Sequence, residues 1–252
     1  MTRPILRTAG LTKRFGGLVA TDCLDFEVLP GEAHAVIGPN GAGKTTLVSQ
    51  LTGELAPDAG QIEFDGRDIT RLPSWRRALL GLSRSYQITS IFPEFTALEN
   101  VALAAQAHDR HSFGAWRPAI LEKRLTDPAA VALDEVGLSY KATSLASELA
   151  HGERRQLEMA MALVSKPKLL LLDEPMAGMG RRESESMVKL LGALKGRYTM
   201  VLVEHDMDAV FALADRITVL VYGRQIASGA PQDIRSSVEV RKAYLGERYA
   251  AR

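Results

Sequence analysis

Apolar and polar positions alternate in "CLDFEVL" (Cys23–Leu29) and "QIEFDG" (Gln61–Gly66), the period of strands with one face in water. Three other runs have no polar face. "AHAVI" from Ala33, "LLLLD" from Leu169 and "TMVLVEHD" from Thr199 are apolar almost throughout, as parallel strands covered on both sides are. Two kinds of sheet are therefore expected. Each buried run leads into a loop and a helical segment, an order that places ligands beyond the carboxyl ends of the strands. Between about Gln87 and Pro167 no strand pattern occurs, and "TALENVALAAQA", "DPAAVALDEVG" and "GERRQLEMAMALV" read as helices. In the last, Leu157, Ala160, Met161 and Val164 fall at helical spacing and form a core stripe. "RITVLVYGRQIASGAP" predicts a hairpin turning near Tyr222 to Arg224, followed by short helices up to "RKAYLGE". No internal repeat or low-complexity linker interrupts the chain.

Composition narrows this picture. With 252 residues, 46% of them hydrophobic, the chain can bury a substantial core. Thirty-one Lys and Arg against thirty Asp and Glu leave a net charge of +1, which gives no global field for nucleic acid or anionic lipid. The pairs Arg76-Arg77, Arg154-Arg155 and Arg181-Arg182 are accordingly expected on solvated helix faces, with no nucleic-acid partner. No apolar run is long enough to cross a bilayer. "MTRPILRTAGLTKRFGG" lacks an apolar signal core, and the single Cys23 is expected to be a plain structural thiol, so a reducing cytoplasmic setting is predicted. His108-x-x-His111 lacks further ligands at metal-binding spacing and is not read as a metal site.

The chemistry begins at "GPNGAGKTT". Gly38, Pro39, Asn40, Gly41, Ala42, Gly43, Lys44 and Thr45 fill the P-loop template, in which glycines let backbone N–H groups turn inward around a polyphosphate. Lys44 is placed for the β- and γ-phosphates, Thr45 for Mg²⁺ and Thr46 for the α-phosphate, at the positive end of a helix starting near Gly43. Asp173 ends the "LLLLD" strand, where a carboxylate can hold Mg²⁺, and Glu174 follows as the candidate base for an attacking water. His205 closes the next buried strand and is a candidate γ-phosphate contact. Gln87, in "SRSYQITSIFPEFTALENV", stands where the core meets the helical stretch, able to reach Mg²⁺ or its water. The expected fold is α/β, a P-loop NTPase core with a parallel sheet, an N-terminal antiparallel β subdomain and an inserted helical subdomain. About 1–87 and 167–252 form the nucleotide-binding core, and about 88–166 the insert, of one domain spanning 1–252.

The order Phe15, "GPNGAGKTT", Gln87, "LAHGERRQLEMA", "LLLLDEP" and "VEHD" resembles the ATP-binding subunit of ABC transporters over essentially the whole chain. Several motifs in a fixed order are far more specific than a P-loop alone. The resemblance implies ATP and Mg²⁺ as cofactors, Phe15 stacked on adenine, Gln87 in the lid toward a transmembrane partner, and His205 as the switch histidine. It also makes Leu149 to Glu153 the signature loop, whose Ala150, His151, Gly152 and Glu153 would cap the γ-phosphate bound to the other subunit of a dimer. Two departures stand out. Ala150 replaces the family's usual Ser, and Gly180 in "MAGMG" stands where Asp or Asn is common. Both serve the opposite subunit's nucleotide, which points to an unequal pair with a different ATPase, a second copy of this chain being the alternative partner.

"FPEFTALENVAL", the insert through "HDRHSFGAWRPAILEKR" and the ending "SGAPQDIRSSVEVRKAYLGE" look most like the subfamily for branched-chain amino acid uptake. That likeness implies two transmembrane permease subunits, a separate solute-binding protein, and a peripheral position on the cytoplasmic face of the inner membrane. Urea, amide or aromatic-acid importers and exporter motors, including lipopolysaccharide export, share the same motor chemistry. A soluble ATPase acting on ribosomes or DNA would bring a second cassette or a long coiled coil, and this chain has neither.

Overall fold

A computed structural model describes residues 2–85, 91–108 and 122–245. Its strands fall into two sheets. In the smaller, β1 (Leu6–Phe15), β2 (Leu18–Val28), β4 (Ala59–Phe64) and β5 (Arg67–Asp68) lie in the order β2-β1-β4-β5, antiparallel throughout. The larger holds β3 (Ala33–Ile37), β6 (Leu82–Ser85), β7 (Leu169–Asp173), β8 (Thr199–Val203), β9 (Arg216–Val221) and β10 (Arg224–Gly229), in the order β10-β9-β3-β8-β7-β6. All its pairings are parallel except β9 with β10.

The unbroken apolar runs are explained by what covers each face. In β7, Leu169 and Leu171 point into a core shared with helix α1 (Lys44–Thr52) and the small sheet, while Leu170 and Leu172 point into a helical core on the other side. β8 divides in the same way, Val201 and Val203 against Met200 and Leu202. Helix α1 thus lies sandwiched between the sheets through Leu47, Val48 and Leu51. The opposite core gathers α3 (Ala97–His108), α4 (Lys123–Glu135), α5 (His151–Leu163) and α6 (Arg181–Leu194), where Leu157 and Ala160 are fully buried. A short α2 (Ser74–Leu79) precedes β6, α7 (Met207–Leu213) follows β8, and α8 (Pro231–Ser236) follows the closing hairpin. That hairpin turns through Tyr222 and Gly223, both at positive φ (48° and 76°), the geometry of a two-residue turn matched to strand twist. Among the described residues no helix is long and apolar enough to cross a membrane.

Two arginine side chains expected in solvent are covered instead. Arg77 is not solvated: its side chain lies buried against the end of α1, whereas Arg181 and Arg182 are exposed as anticipated. Arg155 is also largely covered, paired with Glu158 at 2.9 Å. His34, the second residue of β3, is buried with Nε2 2.8 Å from the Thr218 hydroxyl. Burial first, then the nearby Arg216 charge, push its pKa down to about 3, against a smaller opposing contribution from the Glu27 carbonyl. The folded protein therefore binds the proton less readily than the unfolded chain, whose His titrates near 6.5. Stability from neutral His34 is complete above that value and is lost as pH falls from it toward about 3. Between about pH 7 and pH 5 this amounts to roughly 2 kcal/mol. Urea melts of the wild type and His34→Gln should show the variant with the flatter profile over that interval; parallel profiles would refute the assignment.

Candidate functional site

The carboxyl ends of β3, β7 and β8 meet at one edge of the parallel sheet, and the candidate residues hang from them. Ile37 ends β3, and the loop that follows is forced to carry glycine at two places. A Cβ on Gly38 would stand 2.1 Å from the Leu220 carbonyl oxygen, and one on Gly43 would stand 2.0 Å from that of Ala20. The loop is thus pressed between β9 and β2, and the turn at Gly223 holds it there by donating to the Ala42 carbonyl at 2.9 Å. At its end α1 begins with no acidic side chain and no side-chain cap in the first turn, an open positive pole suited to an anion. Thr45 is exposed on that turn and Thr46 half-buried.

Lys44 is buried, and its ammonium donates to the carbonyls of Gly38 at 2.6 Å and Pro39 at 3.1 Å. Burial lowers its pKa, while the charges of Glu174 and then Asp173 oppose that shift. Two carboxylates, the last residue of β7 and the one after it, therefore act on the P-loop lysine. Asp173 is nearly inaccessible; burial raises its pKa, and the Arg84 guanidinium, 2.9 Å from its Oδ2, pulls the other way. Glu174 sits in the left-handed region at φ 50°, a costly conformation for a non-glycine residue, of the kind that concentrates at functional sites. Its N–H donates to the Val203 carbonyl at 2.8 Å, which fastens the end of β7 to the end of β8. From β8, His205 brings Nδ1 to 4.0 Å from Glu174 Oε1 and 3.7 Å from Glu204 Oε2.

Glu204 is the residue that sequence reasoning left without a role. It is 1% exposed and accepts from the backbone N–H of Met176 at 3.1 Å and of His205 at 3.0 Å. One buried carboxylate thus ties the loop behind Glu174 to the loop carrying His205. A charged residue inside an apolar strand end was the available signal, since such a group must be satisfied by donors.

The remaining candidates lie elsewhere. Phe15 ends β1, half exposed, with Lys13 Nζ 5.8 Å from its ring centre. Ala150 is the N-cap of α5; Glu153 reaches back to accept from its N–H at 2.8 Å and from the Tyr140 hydroxyl at 2.8 Å. A Cβ on Gly152 would lie 3.2 Å from Glu183 of α6, and one on Gly178 would lie 3.5 Å from the His151 ring, so the signature segment rests on the loop and helix after Pro175. Gln87 and His111 lie outside the described residues. The donor set of Thr45 hydroxyl and Asp173 carboxylate is hard oxygen, which fits Mg²⁺, an ion that keeps several of its own waters.

Residues 21–177 match the family model described as ABC transporter, and residues 224–250 match that of the branched-chain amino acid ATP-binding cassette transporter. The chain belongs to the ABC transporter family. The cassette is 40% identical, over 98% of its length and all of the relative's, to the high-affinity branched-chain amino acid transport ATP-binding protein BraF of Pseudomonas aeruginosa. It is 37% identical to the corresponding protein LivG of Escherichia coli, with the same coverage. Among solved structures, MJ1267, an ATP-binding cassette of an ABC transporter, superposes with a TM-score of 0.86 at 30% identity over 97% of this chain and all of that one. The α/β cassette fold expected from the motif order is thereby borne out, and with it the ATPase family.

Proposed function

We propose that the cassette is the ATP-hydrolysing motor of an importer for branched-chain or chemically related amino acids. The full-length likeness to transport ATP-binding proteins, matched by a P-loop, an acidic β7 end and His205 at one sheet edge, supports this reading most directly. In it, the Gly38 to Thr46 loop holds the phosphates, Phe15 covers the adenine, and Thr45, Asp173 and Gln87 hold Mg²⁺, which would offset charge on the β- and γ-phosphates. Glu174 takes a proton from the attacking water and His205 steadies the γ-phosphate side. Residues 1–87 and 167–252 act as the nucleotide-binding core and 88–166 as the helical insert.

Ala150, His151, Gly152 and Glu153 serve the nucleotide of a second cassette. With Ala150 and Gly180 both altered, that partner is a related but different ATPase, so the isolated chain turns over slowly and the mixed pair faster. Equal rates would count against it.

Coupling to two permease subunits, which receive solute from a separate binding protein, runs through the ledge at Phe92 to Asn100. Phe92 and Phe95 stack at 5.3 Å, both exposed, and a fully buried Asn100 shapes the backbone beneath them. Asn100 accepts from the Phe92 N–H at 2.7 Å and donates to the carbonyls of Phe92 and Thr96, both at 3.0 Å. An exposed aromatic pair on a rigid loop suits a short permease helix in a groove. Phe92→Ala with Phe95→Ala should leave the ATPase rate of the isolated chain within about twofold and cut solute uptake in cells more than about tenfold. Unimpaired uptake would remove this surface from the coupling path. Tagging the chain in its native membranes and identifying what purifies with it tests the whole reading: two multi-spanning permeases and a second ATPase are expected on the cytoplasmic face, and ribosomal or DNA factors would overturn it.

A further inference from the structure

Arg84 lies on β6, the edge strand beside β7, and its side chain reaches toward the carboxyl end of β7. The side chain is 9% exposed. Its guanidinium spans two carboxylates: one nitrogen donates to Asp173 Oδ2 at 2.9 Å and the other to Glu54 Oε2. Glu54 follows directly on Gly53, the C-cap of α1, the helix that carries Lys44 and Thr45 at its other end. The register places Arg84 opposite Leu171, two residues before Asp173 on β7. Reach and planarity both matter here. A guanidinium offers donors in a fixed fork, so it can fix one carboxylate while leaning on a second, which an ammonium on a flexible stem does less well.

We infer that Arg84 is a positioning residue that shares the Asp173 carboxylate with the Mg²⁺ of bound nucleotide and so sets how tightly that metal is held. The inference rests on the reading of Asp173 as a metal-holding carboxylate. Asp173 is 3% exposed, so charges around it are weakly screened, and a fixed positive charge touching one of its oxygens repels a divalent cation at the other. Arg84 also keeps Asp173 in one orientation, so the carboxylate does not have to be ordered when nucleotide arrives. A motor that must release its nucleotide after each cycle is served by a metal site held below its greatest affinity.

The test is a Mg²⁺ titration of the full chain with a fixed concentration of a fluorescent N-methylanthraniloyl ATP, begun in EDTA, for wild type, Arg84→Gln, Arg84→Lys, Glu54→Gln and Asp173→Asn. Removing the positive charge should lower the Mg²⁺ half-saturation point by about tenfold in Arg84→Gln, with Arg84→Lys in between, while nucleotide binding in EDTA changes little. A half-saturation point in Arg84→Gln that is unchanged or higher overturns the inference and leaves Arg84 a structural tie. Should Arg84→Gln fail to fold, Glu54→Gln decides. It keeps Arg84 but removes one of its carboxylates, so the guanidinium presses harder on Asp173 and the half-saturation point should rise about threefold. No rise there overturns the inference equally. Asp173→Asn separates the two levels: a Mg²⁺ response that survives in that variant overturns the metal role of Asp173 and takes Arg84 with it, whereas a response lost there and unmoved by Arg84→Gln overturns the Arg84 inference alone.

Discussion

Glu174→Gln is expected to slow steady-state ATP hydrolysis by about 10²–10⁴-fold while leaving nucleotide affinity within a few-fold of wild type. The substitution keeps the shape of the side chain and removes its basicity, so what is lost is proton acceptance and not packing. Geometry argues that this carboxylate is held for chemistry. Its backbone sits at φ 50°, fixed from one side by the bond from its N–H to the Val203 carbonyl and from the other by the Ala177 N–H donating to its own carbonyl. Glu204 anchors the next turn through Met176. Such strain costs of order 1–3 kcal/mol and persists only where surrounding bonds over-determine it. The side chain keeps 31% of its surface open, enough to meet a water, while its charge acts on Lys44. Steady-state rates with the mixed pair, alongside binding of the fluorescent nucleotide, separate the alternatives. A fall of less than about fivefold would move the role of base to another group, and a loss of affinity as large as the loss of rate would make Glu174 a binding residue.

How much of this could be read beforehand depends on whether a feature is local in sequence. The P-loop, the acidic end of β7 and the strand closing at Glu204-His205 are each contiguous, and an apolar run covered on both faces has no other reading once helices flank it. The two-sheet division followed from the same source: Leu24, Phe26 and Val28 alternate with exposed neighbours, whereas Leu169 through Leu172 do not. What could not be read are contacts between distant segments. Arg84 meets Asp173 across 89 positions, and Glu204 meets the Met176 N–H across 28. Arg77 was expected in solvent because a basic pair on a short helix is usually there. The signal against it lay in Gly53, which has no Cβ to occupy the space its guanidinium needs, and nothing in the local sequence links the two.

Arg77 is for that reason the most informative residue to remove for stability. Its side chain is 1% exposed, and its guanidinium donates to the carbonyls of Leu72 at 2.9 Å, Gln50 at 2.7 Å, Leu51 at 2.8 Å and Thr70 at 3.1 Å. Gln50 and Leu51 belong to the last turn of α1, so a buried cation meets the negative pole of the P-loop helix and satisfies carbonyls that the helix cannot. Burial lowers the Arg77 pKa to about 10, opposed by the Asp68 charge, which leaves the group ionised across the working range. A Cβ on Gly53 would stand 2.6 Å from Arg77 Nε, so the glycine at the helix end and the arginine fill one space. Arg77→Met keeps much of the apolar bulk and strands four acceptors, and the expected loss is about 3–5 kcal/mol. For a chain of this size that corresponds to a melting temperature lower by roughly 6–20 °C. Arg77→Lys should recover only part of it, because one ammonium cannot span all four carbonyls. Melting curves with and without nucleotide carry the argument to function: since α1 bears Lys44 and Thr45 at its other end, Arg77→Met should also weaken nucleotide binding, and bound nucleotide should restore part of the lost stability by mass action. A loss below about 1 kcal/mol would mean that water replaces the guanidinium at the helix end, and the fold would then owe the placement of its P-loop to the sheet packing of Leu47 and Leu51 alone.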